Sequence, residues 1–293
     1  MKQVIISSDS CLDEFKSVLV ENNVSYIPML YILDKEYRDN FDSQEDYDNF
    51  YAKMKDGAMP TTSMLNAFEV EEYFEKLIKQ YDCDIVHISL SSALSGTYDN
   101  SNQAAESVMQ KYKDNKIYVV DSLSATQGQN ILVKYAVQER NKGKTAQGIF
   151  NELQEIKHKI QHWFLISDLF HLRRGGRISG AKAVIGTVLQ TKPILTINNE
   201  GKLDIVAKAI GTKKAIKILV DKLEEMGLEN IEQDVYIAQA NCLEDAELLK
   251  KFTQKHFHKV NVIIKNIGPV IGSHTGPDTL GIVFLGKDRV KAK

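Results

Sequence analysis

This sequence predicts an α/β protein in two domains. Residues 1–160 form an N-terminal three-layer domain with a parallel sheet, and residues 161–293 form a C-terminal α+β domain with mixed or antiparallel strands. Three observations carry the prediction. Short β-branched runs alternate with helical stretches through the first half, the pattern of strands joined by right-handed crossovers. Three of those runs end alike, in a small polar loop that opens a helix. Beyond residue 160 a hairpin signal appears at Asn198-Asn199-Glu200-Gly201, between two apolar runs.

Val4-Ile5-Ile6-Ser7 reads as the first strand and Ser8-Asp9-Ser10 as the loop after it. A helix follows from near Leu12, with Phe15, Val18 and Leu19 as its apolar stripe. Residues 24–33 are strand-like, and the chain turns at Asp34-Lys35-Glu36 before the strand resumes. Ser43 is a good N-cap, with Asp46 three residues on, for a helix over 44–53. Met59-Pro60-Thr61-Thr62-Ser63 is a second polar loop, and a helix follows over 67–80. Residues 85–88 are the central strand. It ends in a knot of hydroxyls, Ser89, Ser91, Ser92, Ser95 and Thr97 with Gly96 among them, before a helix over 99–111. The strand 117–120 ends in Asp121-Ser122-Leu123-Ser124, and helices over 126–140 and 145–157 complete the domain. In parallel sheets ligands sit at the carboxyl ends of the strands, so the repeated polar loops mark the binding edge.

The boundary falls near residues 158–162. A short strand at 164–167 leads through Asp168 to Leu172, then Arg173-Arg174-Gly175-Gly176-Arg177, and a helix over 181–190. Strands at 193–197 and 203–207 flank the hairpin turn. A helix over 212–226, a strand at 234–239, a helix over 244–256 and a strand at 260–267 follow. The chain closes with 269–273, a Gly-rich turn and a strand at 280–285. The stripe Val184, Ile185, Val188 and Leu189 suits either an apolar tunnel wall or ordinary core.

Composition excludes several classes. A net charge of −2 over 293 residues leaves no footprint for nucleic acid or an anionic membrane. No apolar run approaches a membrane span, and polar residues come too early for a signal peptide. Cys11, Cys83 and Cys242 are widely separated, with neither a disulfide framework nor zinc spacing, as expected of thiols in a reducing cytoplasm. No metal and no cofactor are expected.

The hydroxyl loop suits an oxyanion. A carboxylate leaving water needs several hydrogen bonds, and closely spaced hydroxyls with free helix N–H groups supply more than a helix cap requires. Gly175-Gly176-Arg177 reads equally as an anion loop or a tight turn. It is not a Walker A motif, and no Gly-x-Gly-x-x-Gly occurs. His274, between Gly272 and Gly276, suits a loop contact better than a core. A competing reading is a serine-dependent hydrolase or acyl-transfer enzyme, with Ser95 or Ser92 as nucleophile, His274 as base and Asp278 as a weak orienting group. Against it, the serine loop is no Gly-x-Ser-x-Gly elbow. A sugar- or phosphate-binding module lacks a nucleotide fingerprint.

Several motifs together resemble the DegV family of bacterial fatty-acid-binding proteins. They are Ser8-Asp9-Ser10, Thr62-Ser63, residues 91–98, Val120-Asp121-Ser122, Asp168-Leu169 with Leu172, Gly175 to Ser179, Lys192-Pro193-Ile194-Leu195, and Ile267 to Pro277. They run in family order over essentially the whole chain. The resemblance implies a non-enzymatic carrier that holds one long-chain fatty acid in a tunnel between two domains. In some members the fatty acid is presented to a separate kinase, which forms the acyl-phosphate. By motif, Thr62, Ser63 and Ser95, with Gly96 and Thr97, are implied to bind the carboxylate, and Arg177 and His274 to lie at the head-group opening. Three positions depart from the family. Leu65 stands where a proline is usual, and Asp278 ends a usual Gly-Pro-Gly. Ile210 stands where an arginine associated with the kinase encounter is usual, which weakens the expectation of a kinase more than that of lipid binding.

Overall fold

The structure, a computed structural model, describes residues 2–40, 42–178, 191–228 and 233–289. β1 (Gln3–Asp9) passes through a single 3-10 turn into α1 (Lys16–Glu21), and β2 (Val24–Ile27) returns parallel beside it. β3 (Leu30–Ile32), β4 (Glu36–Arg38), α2 (Gln44–Lys55) and β5 (Thr61–Ser63) follow. Then come α3 (Ala67–Tyr81), β6 (Cys83–Ser89), α4 (Thr97–Lys111), β7 (Ile117–Asp121), α5 (Thr126–Asn141) and α6 (Ala146–Ile156). Strands β2-β1-β6-β7 form a parallel sheet, and β4-β3-β5 a small antiparallel one.

The second half contributes β8 (Ile160–Leu165), α7 (Phe170–Arg174), β9 (Thr191–Ile197), β10 (Leu203–Ile210), α8 (Thr212–Met226) and β11 (Asp234–Gln239). It ends with α9 (Leu243–His256), β12 (Asn261–Asn266), α10 (Pro269–Thr275) and β13 (Leu280–Leu285). These strands form one mixed sheet, β10-β9-β8-β13-β11-β12, antiparallel except where β11 meets β12. The α/β class with one parallel and one mixed sheet is therefore as the sequence predicts.

Central strands of a parallel sheet are covered on both faces and read as continuous apolar runs. Accordingly Ile85, Val86 and Ile88 are fully buried, with α3 and α4 on one side and α5 and α6 on the other. α5 also packs against the second sheet, because Leu132, Val133 and Ala136 share a cluster with Tyr236 and Val283. One helix thus joins the two sheets. Ser43 caps α2 by accepting from the Asp46 amide at 3.3 Å, as its sequence position predicts. Gly201 takes φ +76° in the β9–β10 turn, the conformation the hairpin signal asks of it.

Four local expectations are corrected. Residues 24–33 form two strands, because Pro28 interrupts the run and the chain leaves the parallel sheet for the small one. The stretch at Leu12 is a 3-10 turn ending at Asp13 in the left-handed region, and the α-helix starts only at Lys16. Thr61–Ser63, expected as loop, is a strand paired with β3. Pro269–Thr275, expected before a turn, is a helix with proline at its first position, where the missing N–H costs nothing. The helix expected over 181–190, with Val184, Ile185, Val188 and Leu189, lies outside the described residues.

Candidate functional site

A cavity opens between the two sheets, with an empty volume of about 860 Å³ including its mouth. Met29, Leu90 and Leu94 line it from the first half of the chain. Trp163, Phe164 and Val283 face them from the second sheet. The wall is mostly apolar, as small-molecule sites are, with a few convergent polar groups.

Thr126, His162, Thr275 and Thr279 are among those polar groups, and the ones the sequence singled out come from four elements remote in sequence. Thr62 lies on β5, Ser95 in the loop after β6, Arg177 just past α7 and His274 on α10, and all four line the cavity. Side chains alternate along a strand, so β5 turns Thr62 inward while Thr61 and Ser63 are exposed. Thr62 Oγ1 meets His274 Nε2 at 2.7 Å. Ser95 Oγ accepts from the Thr97 amide at 3.3 Å and lies 2.9 Å from the Thr97 hydroxyl. If the Thr97 hydroxyl donates, the Ser95 O–H is free to turn into the cavity. Thr97 is fully buried behind Ser95. Ser63, Gly96 and Thr97 are not on the cavity wall, whereas Thr62, Ser95, Arg177 and His274 are.

Burial, then the nearby Arg177 and Arg174, hold the His274 imidazole down at about 4, so it is neutral at pH 7. Its ring packs on Gly175, where a Cβ would fall 2.2 Å from Nδ1. Arg177 donates to the Leu94 carbonyl at 3.1 Å and to the Gly175 carbonyl. Arg174, also beside the opening, donates to Pro60 O at 2.6 Å and Ser273 O at 3.3 Å. Both guanidiniums face carbonyls only, and among the described residues no carboxylate pairs with either. The opening therefore carries positive charge without an anion of its own.

The other polar loops are structural. Asp9, fully buried, accepts from Leu90 N at 2.7 Å, Gln129 Nε2 at 2.9 Å, Ser89 Oγ at 3.1 Å and Cys11 N at 3.1 Å. Ser8 donates to Ile88 O at 2.8 Å, and Ser91 to Gly201 O at 2.9 Å. Ser92 is exposed and donates to Asp121 Oδ2 at 2.5 Å. The carboxyl edge of the parallel sheet does border the cavity, through Leu90, Leu94, Ser95, Ala125 and Thr126, but most of the loop hydroxyls tie loop to loop, and Ser95 alone of the serines in 91–97 lines it. Among the described residues no serine pairs with a histidine at the site, and Asp278 engages Lys55 at 3.0 Å, not His274. Among the described residues no group of three or more His, Cys, Asp or Glu side chains surrounds a metal position. The sequence pointed to neither Arg174 nor His171. His171 packs on Gly276 as His274 packs on Gly175, a reciprocity visible only when α7 and α10 are side by side.

Fold and cavity define a class: an α/β protein enclosing an apolar cavity under a polar, cationic opening. The comparisons place it further. A family model described as "Uncharacterised protein, DegV family" matches residues 2–287. A DegV domain-containing protein of Clostridium perfringens is 42% identical over 287 residues, covering 98% of each chain. This chain belongs to the DegV family. Its backbone also resembles solved structures. One is DegV, a fatty acid binding protein from Bacillus subtilis, at 28% identity and TM-score 0.83, with 98% of this chain and 100% of that one covered. Another is a DegV family protein from Thermus thermophilus described by its fatty acid binding, at 25% identity and TM-score 0.85 with the same coverage.

Proposed function

We propose that this chain is a non-enzymatic carrier of one long-chain fatty acid. The acyl chain lies in the cavity between two units, 1–160 and 161–293. Thr62 and Ser95 donate to the carboxylate, and Arg177 and His274 stand at the opening. The observation that supports this most is the half-buried Arg177, cationic and without a carboxylate partner, above an apolar cavity. Burying a methylene is worth about 0.8 kcal/mol, so a long chain holds tightly without chemistry. The fatty acid binding described for the Bacillus subtilis and Thermus thermophilus proteins points the same way. A serine hydrolase is disfavoured, because His274 bonds Thr62 and neither Ser95 nor Ser92. Presentation to a fatty acid kinase belongs to the reading as a partner-dependent step. Ile210, two-thirds exposed at the end of β10, leaves no cation at the position associated with that encounter. Three free thiols accord with a cytoplasmic setting, and no described helix is long and apolar enough to cross a membrane.

Mass spectrometry of the purified protein, native and then denatured with organic extraction, tests the proposal. A non-covalent fatty acid in roughly equimolar amount is expected. Protein that emerges empty, and stays empty after incubation with a fatty-acid mixture, overturns it.

A further inference from the structure

The floor of the cavity is built by alternation along β8, β11 and β13. Leu165, Ile237 and Ile282 face the helices that back the second sheet, in one buried cluster with residues of α8 and α9. The side chains between them face the other way, and Phe164, Ala238 and Val283 line the cavity with Gly281. Register sorts these positions into rows across the strands. Phe164 stands opposite Gly281, and Gly281 opposite Ala238. In the next row His162 stands opposite Val283, and Val283 opposite Tyr236. That second row carries a full side chain on every strand. The first drops to a bare backbone and then to a single methyl on two neighbouring strands. Such strands lie about 4.8 Å apart, so the gap is a trough in the floor, between Phe164 and the Val283–Tyr236 row. Val270 and Ile271, from the first turn of α10, line the same cavity, and Ile271 packs on the cluster that holds Ala238 and Ile267. His274, at the opening, comes about one turn later on α10, roughly 5 Å further along. The trough therefore lies inward of the polar opening.

We propose that the Gly281–Ala238 trough sets the length of acyl chain this cavity accepts. The polymethylene tail runs along it, and the size of the side chain at 238 decides how many methylenes fit beyond the head group. The inference rests on the carrier reading above and adds to it the residue that governs selectivity. Gly281 has a second reason to be glycine, since a Cβ there would stand 2.9 Å from Phe164 Cβ. Substituting it would move Phe164 as well as fill the trough. Ala238, 3% exposed and already bearing a Cβ, is the position that tests the trough by size.

The test compares octadecanoate with dodecanoate, each competing against a fluorescent fatty acid on the full-length, delipidated chain. Ala238→Leu adds three carbons and should displace about three ligand methylenes. Each buried methylene is worth about fourfold in affinity, so octadecanoate should bind about 60-fold more weakly. Dodecanoate, too short to fill the trough, should stay within about threefold of its wild-type affinity. Ala238→Val adds two carbons in a β-branched form that strands favour, and should weaken octadecanoate about 16-fold. If Ala238→Leu melts far below wild type, Ala238→Val decides alone. Equal losses for the two acids in a folded variant overturn the proposal, because residue 238 then acts on the whole cavity and not on the tail. Unchanged affinities for both acids overturn it too. A wild-type chain that binds neither acid overturns the carrier reading and this inference with it. Wild-type binding of both, with no length-dependent change in the variants, overturns this inference alone.

Discussion

Ser95 illustrates what a single residue decides at the opening. Its oxygen accepts from the Thr97 amide, and when the buried Thr97 hydroxyl donates to it as well, the Ser95 O–H is left to point at a ligand. Ser95→Ala removes one hydrogen bond to a charged group, worth about 1.5–3 kcal/mol, and should speed fatty-acid loss by roughly 10- to 150-fold. Tm of the ligand-free chain should fall by about 2–8 °C, because the buried Thr97 amide loses the oxygen that accepts from it, at a cost of about 1–2 kcal/mol. Retention equal to wild type, read by exchange with a labelled fatty acid, removes Ser95 from the site. The sequence made Thr62, Ser95, Arg177 and His274 legible because each sits in an ordered motif. It pointed equally to Ser63, which a two-residue strand period turns outward. Arg174 and His171 carried no signal, since their partners are backbone atoms and glycines more than 90 residues away in sequence.

Among the elements, the seam between α7 and α10 shapes the opening. Gly175 lets His274 lie flat against it, so Gly175→Ala would drive a methyl into Nδ1. The ring must swing, and its 2.7 Å bond to Thr62 goes with it. Weaker fatty-acid retention is expected with secondary structure by circular dichroism unchanged, and retention at the wild-type level would show that the seam does not position the head group. β6 gives a second test. His87 is fully buried with Nδ1 2.9 Å from Ser7 Oγ, and burial pushes it down to about 3. Its folded value lies below the unfolded value near 6.5, so as pH falls from 6.5 toward 3 only the unfolded chain takes up this proton. Stability is therefore lost across that window, at about 1.4 kcal/mol per pH unit from this group. Asp39 and Asp13, whose values are raised, act with the opposite sign, so the difference between chains is the clean readout. His87→Gln should flatten the urea-unfolding stability profile between pH 6 and 4 by about that slope, and parallel profiles would deny the assignment. Long elements were legible: the helix expected over 67–80 and the strand over 85–88 stand as α3 and β6. β3, β4 and β5 span three residues each, too few for any period to show, and α10 announces itself only by Pro269.

At the scale of the whole molecule, α5 and the Ser91–Gly201 bond are joined by Arg289 in holding the two sheets together. Arg289 is 5% exposed. It donates to Ile160 O at 2.5 Å, Leu123 O at 2.6 Å, Ser124 Oγ at 2.8 Å and Asn198 O at 3.3 Å. Those acceptors lie in the loop after β7, at the start of β8 and in the β9–β10 turn, so a single guanidinium ties the parallel sheet to the mixed one. Nothing local marks Arg289 in the sequence, because its acceptors are main-chain groups and one serine more than 90 positions away. Arg289→Ala leaves several buried acceptors without donors and a hole where the side chain was. The cost should be about 3–5 kcal/mol, or roughly 6–15 °C in Tm for a chain of this size. Arg289→Lys should recover less than half of that, since a compact ammonium cannot span a planar fork of acceptors. The tied segments run directly into Ala125 and Ile197 on the cavity wall. Fatty-acid release from the alanine variant should therefore quicken at temperatures well below its melt. If Tm moves by less than about 2 °C while release is unchanged, the two sheets are held by α5 and its apolar cluster alone, and the arginine is incidental to the cavity.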